Sequence, residues 1–192
     1  MTTKTLIWPL PVRFLHWLMA LLVFGMLAIG FYASNFADEA AVKFNLLQAH
    51  KSFGFVAFTL ALLRIGLRLT LRERPPLPIM PPWQRFASGA SHLLMYVLIV
   101  AVPVSGWLLA SASPFNNTDA FPFRVPNRVF GLFELPDPIL IGTEALESRY
   151  FAVHLTLNTL LVIVVLIHIA AALKHHFIDK DTVLNAMLGR RG

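Results

Sequence analysis

The segment HLTLNTLLVIVVLIH, residues 154–168, is the part of the sequence that decides how this chain folds. It has a histidine at each end and no charge, and uncharged residues continue on both sides from Phe151 to Leu173. A run of this length crosses a bilayer as one α-helix. The fourteen steps from His154 to His168 span about 21 Å of helix and return the two imidazoles to nearly the same face. The sequence therefore predicts a membrane helix that carries one histidine toward each surface.

These two histidines are candidate functional residues. An unpaired imidazole inside the hydrocarbon is costly, so an intramembrane histidine indicates a site by default. The alternative is a hydrogen bond that only packs one helix against another. Two histidines on the same face of one helix favour a common function over packing alone.

The composition indicates an integral membrane protein. Of 192 residues, 57% are apolar and 14% are charged, too few charges for the surface of a soluble domain. The net charge of +6 is interpreted as an orientation signal, and we expect no nucleic-acid partner. The chain has no cysteine, so histidine must carry any metal chemistry. The N-terminal run lacks a small-residue cleavage site, and we expect it to stay as an anchor.

Hydropathy predicts an all-α membrane protein, a four-transmembrane-helix bundle forming a single domain over residues 1–192. The predicted spans cover about 12–33, 46–69, 86–112 and 151–173. The proline-rich stretch 71–83 is expected to be a loop. Residues 113–150 are too polar to span and are expected to form a periplasmic loop with one surface helix near Glu144–Arg149.

The charge distribution predicts the orientation. Four spans place both termini on one side together with the proline-rich loop, and that side has eleven basic residues against five on the other. The eleven are Lys4, Arg13, Arg64, Arg68, Arg72, Arg74, Arg85, Lys174, Lys180, Arg190 and Arg191, and the five are Lys43, Lys51, Arg124, Arg128 and Arg149. By the positive-inside rule both termini lie in the cytoplasm.

The histidines then sort by depth into two levels. His50 and His154 lie near the outer face, and His16, His92 and His168 lie near the inner face, with His175 and His176 just beyond. Two neutral imidazoles from facing helices suit a b-type haem in an apolar bundle. The absence of C-x-x-C-H excludes covalent attachment. At the inner level, spacing alone leaves both His16 and His92 open as the partner of His168.

Two other functions for the histidines, zinc binding and a proton or cation pathway, are less favoured. Zinc usually takes three or four protein ligands at one level. A proton or cation pathway would use intramembrane carboxylates, which the spans lack. Haem at both levels would carry electrons across the membrane.

Several motifs resemble those of the bacterial cytochrome b561 family over nearly the whole chain. They are RFLHW (13–17), AHKSFG (49–54), RIGLR (64–68), HLLMY (92–96), PVSGW (103–107) and H-x13-H (154–168). The resemblance is strongest to single-chain members that oxidise superoxide and reduce ubiquinone. It implies two non-covalent bis-histidine haems b. It implies His16 with His168 for the inner haem iron, His50 with His154 for the outer, and packing or a propionate contact for His92.

Charged residues beside the histidines are candidates for further roles. Arg13, Arg64 and Arg68 at the inner face are expected to contact haem propionates, although each could equally anchor lipid headgroups. His175 lies seven residues after His168 and is expected to hydrogen-bond a quinone and supply its protons. A solvated His175, or His176 in its place, is the alternative.

The favoured function is an enzyme that oxidises superoxide at the periplasmic face and reduces ubiquinone. Superoxide is an anion and needs a basic approach to the outer haem. Lys51 and Arg149 are the main candidates, and Lys43, Arg124 and Arg128 are predicted to lie on the same side of the membrane. The alternative is a non-catalytic electron-transfer subunit that anchors a quinone-linked dehydrogenase or hydrogenase and contacts a redox protein partner. A histidine-lined metal transporter is a weaker third interpretation.

Overall fold

The computed structural model describes residues 7–71, 75, 78–116 and 125–190. Its helices are α1 (Leu10–Asn35), α2 (Ala40–Thr70), α3 (Pro82–Ser111), α4 (Glu144–Phe177) and α5 (Val183–Leu188), with a 3-10 turn at Pro114–Asn116 and strands β1 (Arg128–Val129) and β2 (Phe133–Glu134). Helices α1 to α4 are long and apolar enough to cross a membrane, which confirms the four predicted apolar helices. Lys4, Arg72, Arg74, Arg124 and Arg191, used in the charge count, lie outside the described residues, as do Pro76 and Leu77 of the proline-rich loop.

Local sequence explains where the long helices begin. Helix α1 follows Pro9 and has Pro11 in its first turn, where a missing N–H costs no hydrogen bond. Helix α4 is capped by Thr143, whose hydroxyl accepts a 3.2 Å hydrogen bond from the backbone N–H of Leu146. Acidic residues in its first turn and basic residues in its last turn complement the helix dipole.

Helix α4 is longer than the sequence prediction. We expected a separate surface helix near Glu144–Arg149 and a span from residue 151, but the two form one continuous helix. No glycine or proline interrupts residues 144–177, so the polar first turns extend the apolar helix instead of breaking from it. Helix α2 likewise begins at Ala40, before the predicted span start at about residue 46. Helix bounds do not define membrane boundaries, so the spans themselves stay predictions.

The long helices pack in the order of the chain. The most extensive backbone contacts join α1 to α2, α2 to α3 and α3 to α4. A buried cluster of Leu98, Leu161 and Val164 fills the middle of the α3–α4 contact. Helix α5 folds back onto the start of α1, where the Trp17 indole N–H donates to the carbonyl of Met187 at 3.3 Å.

A short hairpin lies over one end of the bundle. In it β1 and β2 pair antiparallel, Arg128 opposite Glu134 and Val129 opposite Phe133, around a turn with positive φ at Phe130 (49°) and Gly131 (71°). The hairpin contacts α2 through Ser52, which is 3% exposed. The Ser52 hydroxyl oxygen accepts from the Phe130 N–H at 2.9 Å and donates to the Gln48 carbonyl at 3.0 Å. Ser52 therefore ties the hairpin to α2.

Replacing Ser52 by alanine should loosen the hairpin. The Phe130 N–H loses its acceptor, which costs about 1–3 kcal/mol for a buried donor and corresponds to roughly 10- to 100-fold faster local opening. Hydrogen exchange of a peptide covering residues 128–134 measures this. Thr59→Ala on the same helix is the matched control, because its exposed hydroxyl bonds only the Phe55 carbonyl of its own helix. Equal exchange in both variants would contradict the assignment.

Candidate functional site

Two histidines meet beneath the hairpin. The rings of His50 on α2 and His154 on α4 have centroids 6.4 Å apart and planes at 86°. Both line a cavity of 150 Å³ whose wall is mostly apolar and is formed by all four long helices and the hairpin. The structure thus brings together the two histidines that the sequence assigned to one level.

The separation of these rings fits one metal ion between them. With a metal–nitrogen bond of about 2 Å and a ring radius of about 1.2 Å, imidazoles on opposite sides of a metal have centroids about 6.4 Å apart. The His50 ring is buried, has no side-chain hydrogen-bond partner among the described residues, and has the backbone of Met26 as its polar neighbour. The donor set, two imidazoles in an apolar cavity without a carboxylate in its lining, matches haem iron better than zinc.

Glycines make room for both rings. A Cβ on Gly30 of α1 would lie 3.1 Å from Cε1 of His50, and a Cβ on Gly106 of α3 would lie 3.0 Å from Cε1 of His154. Gly25 and Gly66 have nothing within 4 Å of such an atom. Each imidazole of this pair therefore lies directly on the backbone of a neighbouring helix.

Three histidines gather at the opposite level. The ring centroids of His16 and His168 are 6.3 Å apart, and those of His92 and His168 are 5.4 Å apart. The His92 Nδ1 is 2.7 Å from the carbonyl of Ser88, which can only accept, so this nitrogen carries the proton. Only the His16–His168 separation matches the spacing expected for two ligands of one metal.

Arginines surround this second level with unused donors. Arg13 Nε, Arg64 Nη1 and Arg68 Nη1 are buried and have no hydrogen-bond partner within the described part of the chain. The Arg68 guanidinium also lies 5.0 Å from the ring centroid of Trp8. Buried guanidinium groups with free donors fit an anionic partner such as a propionate.

One arginine contact restricts His16. Arg64 Nη2 lies 3.1 Å from His16 Nδ1, and because a guanidinium can only donate, Nδ1 accepts and the ring proton is on Nε2. A histidine that binds iron through Nε2 needs its proton on Nδ1 instead. This contact and iron binding through Nε2 therefore exclude each other.

His175 lies in an acidic cluster at the end of α4. Its Nδ1 is 2.6 Å from Asp181 and 3.3 Å from Asp179, and Asp179 also pairs with Lys174 at 2.6 Å. The ligand atoms of His175, Asp179 and Asp181 are close enough together to hold a cation. The His176 ring packs on Phe177, with centroids 4.8 Å apart. The structure therefore distinguishes His175, which has carboxylate partners, from His176.

The basic residues predicted to guide an anion are not equivalent. Lys51 and Arg128 line the cavity beside His50, and Asp137 and Glu147 lie near enough to Lys51 to interact with its charge. Arg149 is exposed on α4 and is not among the described residues of the cavity wall.

The sequence pattern does not identify the residues that close and support the His50–His154 site. Ser105 lies in the PVSGW motif, and its hydroxyl within an apolar span is the signal that could have identified it. Asn127, Ser111 and Asp137 form a hydrogen-bonded group, and the Trp107 indole donates to the Pro136 carbonyl at 3.0 Å. Loop residues 113–150 carry no periodicity from which these contacts could be found.

Curated relatives of known name align along most of this chain. Cytochrome b561 homolog 2 of Escherichia coli (strain K12) is 33% identical over 175 residues, 91% of this chain and 87% of that protein. Cytochrome b561 homolog 1 of the same strain is 24% identical over 182 residues, 93% and 94% of the two chains. A probable superoxide oxidase CybB of Yersinia pestis is 27% identical over 181 residues, also 93% and 94%.

The sequence model described as prokaryotic cytochrome b561 matches residues 7–190, nearly the whole chain. Four membrane-length helices and histidine pairs at two levels are what such a multi-pass electron carrier requires. The chain belongs to the prokaryotic cytochrome b561 family of membrane electron-transfer proteins, which bind b-type haem.

Proposed function

We propose that this protein is a superoxide:ubiquinone oxidoreductase with two non-covalent haems b. His50 and His154 bind the outer haem iron, and His16 and His168 bind the inner one. The observation that carries the proposal is that α4 contributes one member to each pair, with centroid separations of 6.4 Å and 6.3 Å. The relative named as a probable superoxide oxidase adds support for the reaction.

The side chains around the inner histidine pair have separate proposed roles. When bound, haem supplies reversible one-electron transfer. Arg64 would have to leave His16 Nδ1 for this ring to present Nε2, and its guanidinium, which also contacts Tyr96, would hold a propionate together with Arg13 and Arg68. His92 keeps its bond to Ser88 and packs beside His168.

The two substrates react at opposite ends. Lys51 and Arg128 attract superoxide toward the outer pair, with Arg149 a more distant positive charge. His175, oriented by Asp181, hydrogen-bonds ubiquinone at the inner level and supplies protons. Two superoxide ions each lose one electron to give two O2, and ubiquinone gains two electrons and two protons to give ubiquinol. Both termini face the cytoplasm of a bacterial inner membrane.

Purified protein distinguishes the alternatives. A haem-free protein with bound zinc or another transported metal would contradict both haem functions. Two haems without any reaction with superoxide would leave the non-catalytic subunit, with a redox protein partner. Rapid mixing with superoxide and a soluble ubiquinone analogue tests the enzyme, and haem reduction slower than spontaneous dismutation would exclude it.

Single ligand variants test the assignment of the pairs. His50→Ala should leave one haem per chain with an unchanged inner spectrum, because only the outer iron loses an imidazole. His92→Ala should keep both haems. Haem content by pyridine haemochrome and the reduced-minus-oxidised spectrum measure this. Two haems in His50→Ala, or one in His92→Ala, would show that a pair is wrong.

Glycine variants test the close packing of the outer imidazoles. Gly30→Ala and Gly106→Ala each place a methyl group about 3 Å from a ring carbon, and the displaced imidazole should lower outer haem affinity about 10-fold. Gly25→Ala and Gly66→Ala meet open space and should gain about 0.5–1 kcal/mol of helix stability with both haems retained. Haem titration of the apoprotein and thermal unfolding report these changes. Equal outer haem affinity in all four glycine variants would argue against the packing role of Gly30 and Gly106.

Charge variants test the approach of superoxide. Lys51→Gln should slow haem reduction by superoxide roughly 3- to 10-fold and flatten its dependence on ionic strength, because a steering charge is lost. Arg149→Gln should slow it less, since Arg149 lies away from the cavity. Lys180→Gln, at the opposite end of the bundle, is the control. Stopped-flow rates of haem reduction at several salt concentrations measure these effects. If Arg149→Gln slows reduction more than Lys51→Gln does, Arg149 and not Lys51 is the main steering charge.

A further inference from the structure

Helix α3 supplies none of the four proposed ligands, yet it contacts one of them directly. The hydroxyl of Ser105 lies 2.8 Å from Nδ1 of His154. Ser105 is 3% exposed, so water does not compete for this contact. The hydroxyl therefore acts on the imidazole itself.

The direction of the hydrogen bond follows from the second neighbour of the hydroxyl. Ser105 Oγ is also 2.8 Å from the carbonyl of Val102, which can only accept. The single hydroxyl proton goes to that carbonyl, and the oxygen accepts from the Nδ1–H of His154, for which the Val102 carbonyl is a second acceptor. The ring proton is thereby held on Nδ1, and the lone pair stays on Nε2, the nitrogen available to a metal.

The other histidine of the outer pair lacks this support. Both rings lie against a glycine, Gly30 for His50 and Gly106 for His154. His50, however, has no side-chain partner among the residues described, and its polar neighbour is the backbone of Met26. The two ligands of one site are therefore held differently, His50 by a backbone group and His154 by a hydroxyl.

We propose that Ser105 is a positioning residue that fixes the tautomer of His154 and raises the basicity of this ligand of the outer haem. The inference rests on the proposed outer haem site. A hydrogen bond to the distal nitrogen of a ligating histidine raises its basicity. A more basic ligand favours oxidised iron, so Ser105 lowers the outer reduction potential, a change that favours electron transfer from the outer haem to the inner one.

Potentiometric titration of the haem-loaded protein tests this. Ser105→Ala should raise the outer midpoint potential, by up to about tenfold in the one-electron equilibrium, or 59 mV, and should weaken outer haem binding about 10-fold or more. The inner potential should not move and serves as the internal reference. The low-spin ferric electron paramagnetic resonance signal of the outer haem should shift as well.

Two further variants separate hydrogen bonding from packing. Ser105→Thr keeps the hydroxyl and should retain the outer haem and its potential. Ser91→Ala on the same helix removes a buried hydroxyl without a described partner and should change neither haem. If Ser105→Ala loses the outer haem and Ser105→Thr restores it, the proposal holds. Threonine behaving like alanine, or an unchanged outer potential in Ser105→Ala, overturns it.

Failure here is distinct from failure of the proposed function. An unchanged potential in Ser105→Ala with both haems present refutes only the role of Ser105. A His154→Ala variant that keeps both haems refutes the outer pair itself.

Discussion

An imidazole between apolar helices needs a partner for each of its ring nitrogens, and the arrangement of this protein depends on how those partners are supplied. In a low-dielectric interior an unsatisfied polar group costs several times what it costs at a wet surface. His154 receives a hydroxyl from α3, His92 receives a carbonyl of its own helix, and His16 receives a guanidinium. In the proposed sites the free nitrogen of His154 would bind iron, His16 would bind iron only once Arg64 has left its Nδ1, and His92 would not bind iron.

The four long helices act as two similar pairs. In each pair the first helix contributes a glycine and the second an imidazole that lies on it: Gly30 of α1 under His50 of α2, and Gly106 of α3 under His154 of α4. Because glycine has no Cβ, each ring can pack against the backbone of the neighbouring helix, and this contact fixes the position of the ring. His154 has a serine beside it, whereas the polar neighbour of His50 is the backbone of Met26, so the proposed outer site has two unlike ligands.

Hydropathy was sufficient for the four helices, because a long uncharged run leaves no other way to satisfy the backbone in a membrane. Helical periodicity was sufficient to place His50 with His154, since no other histidine lies at that depth. It left His16 and His92 both near His168, and the structure keeps both there, at 6.3 Å and 5.4 Å. The long start of α4 and the hairpin were not predicted, because a cap, a turn and loop hydrogen bonds depend on contacts that periodicity does not carry.

Placing one histidine of each pair on a single unbroken helix has a consequence for how the sequence can change over evolutionary time. Composition between His154 and His168 is free to drift among apolar residues, but length is not. One inserted or deleted residue turns everything beyond it by about 100°, which would point the inner imidazole away from α1. The number of residues between His154 and His168 is therefore fixed, and related sequences should differ in this segment by substitution alone, without insertions or deletions.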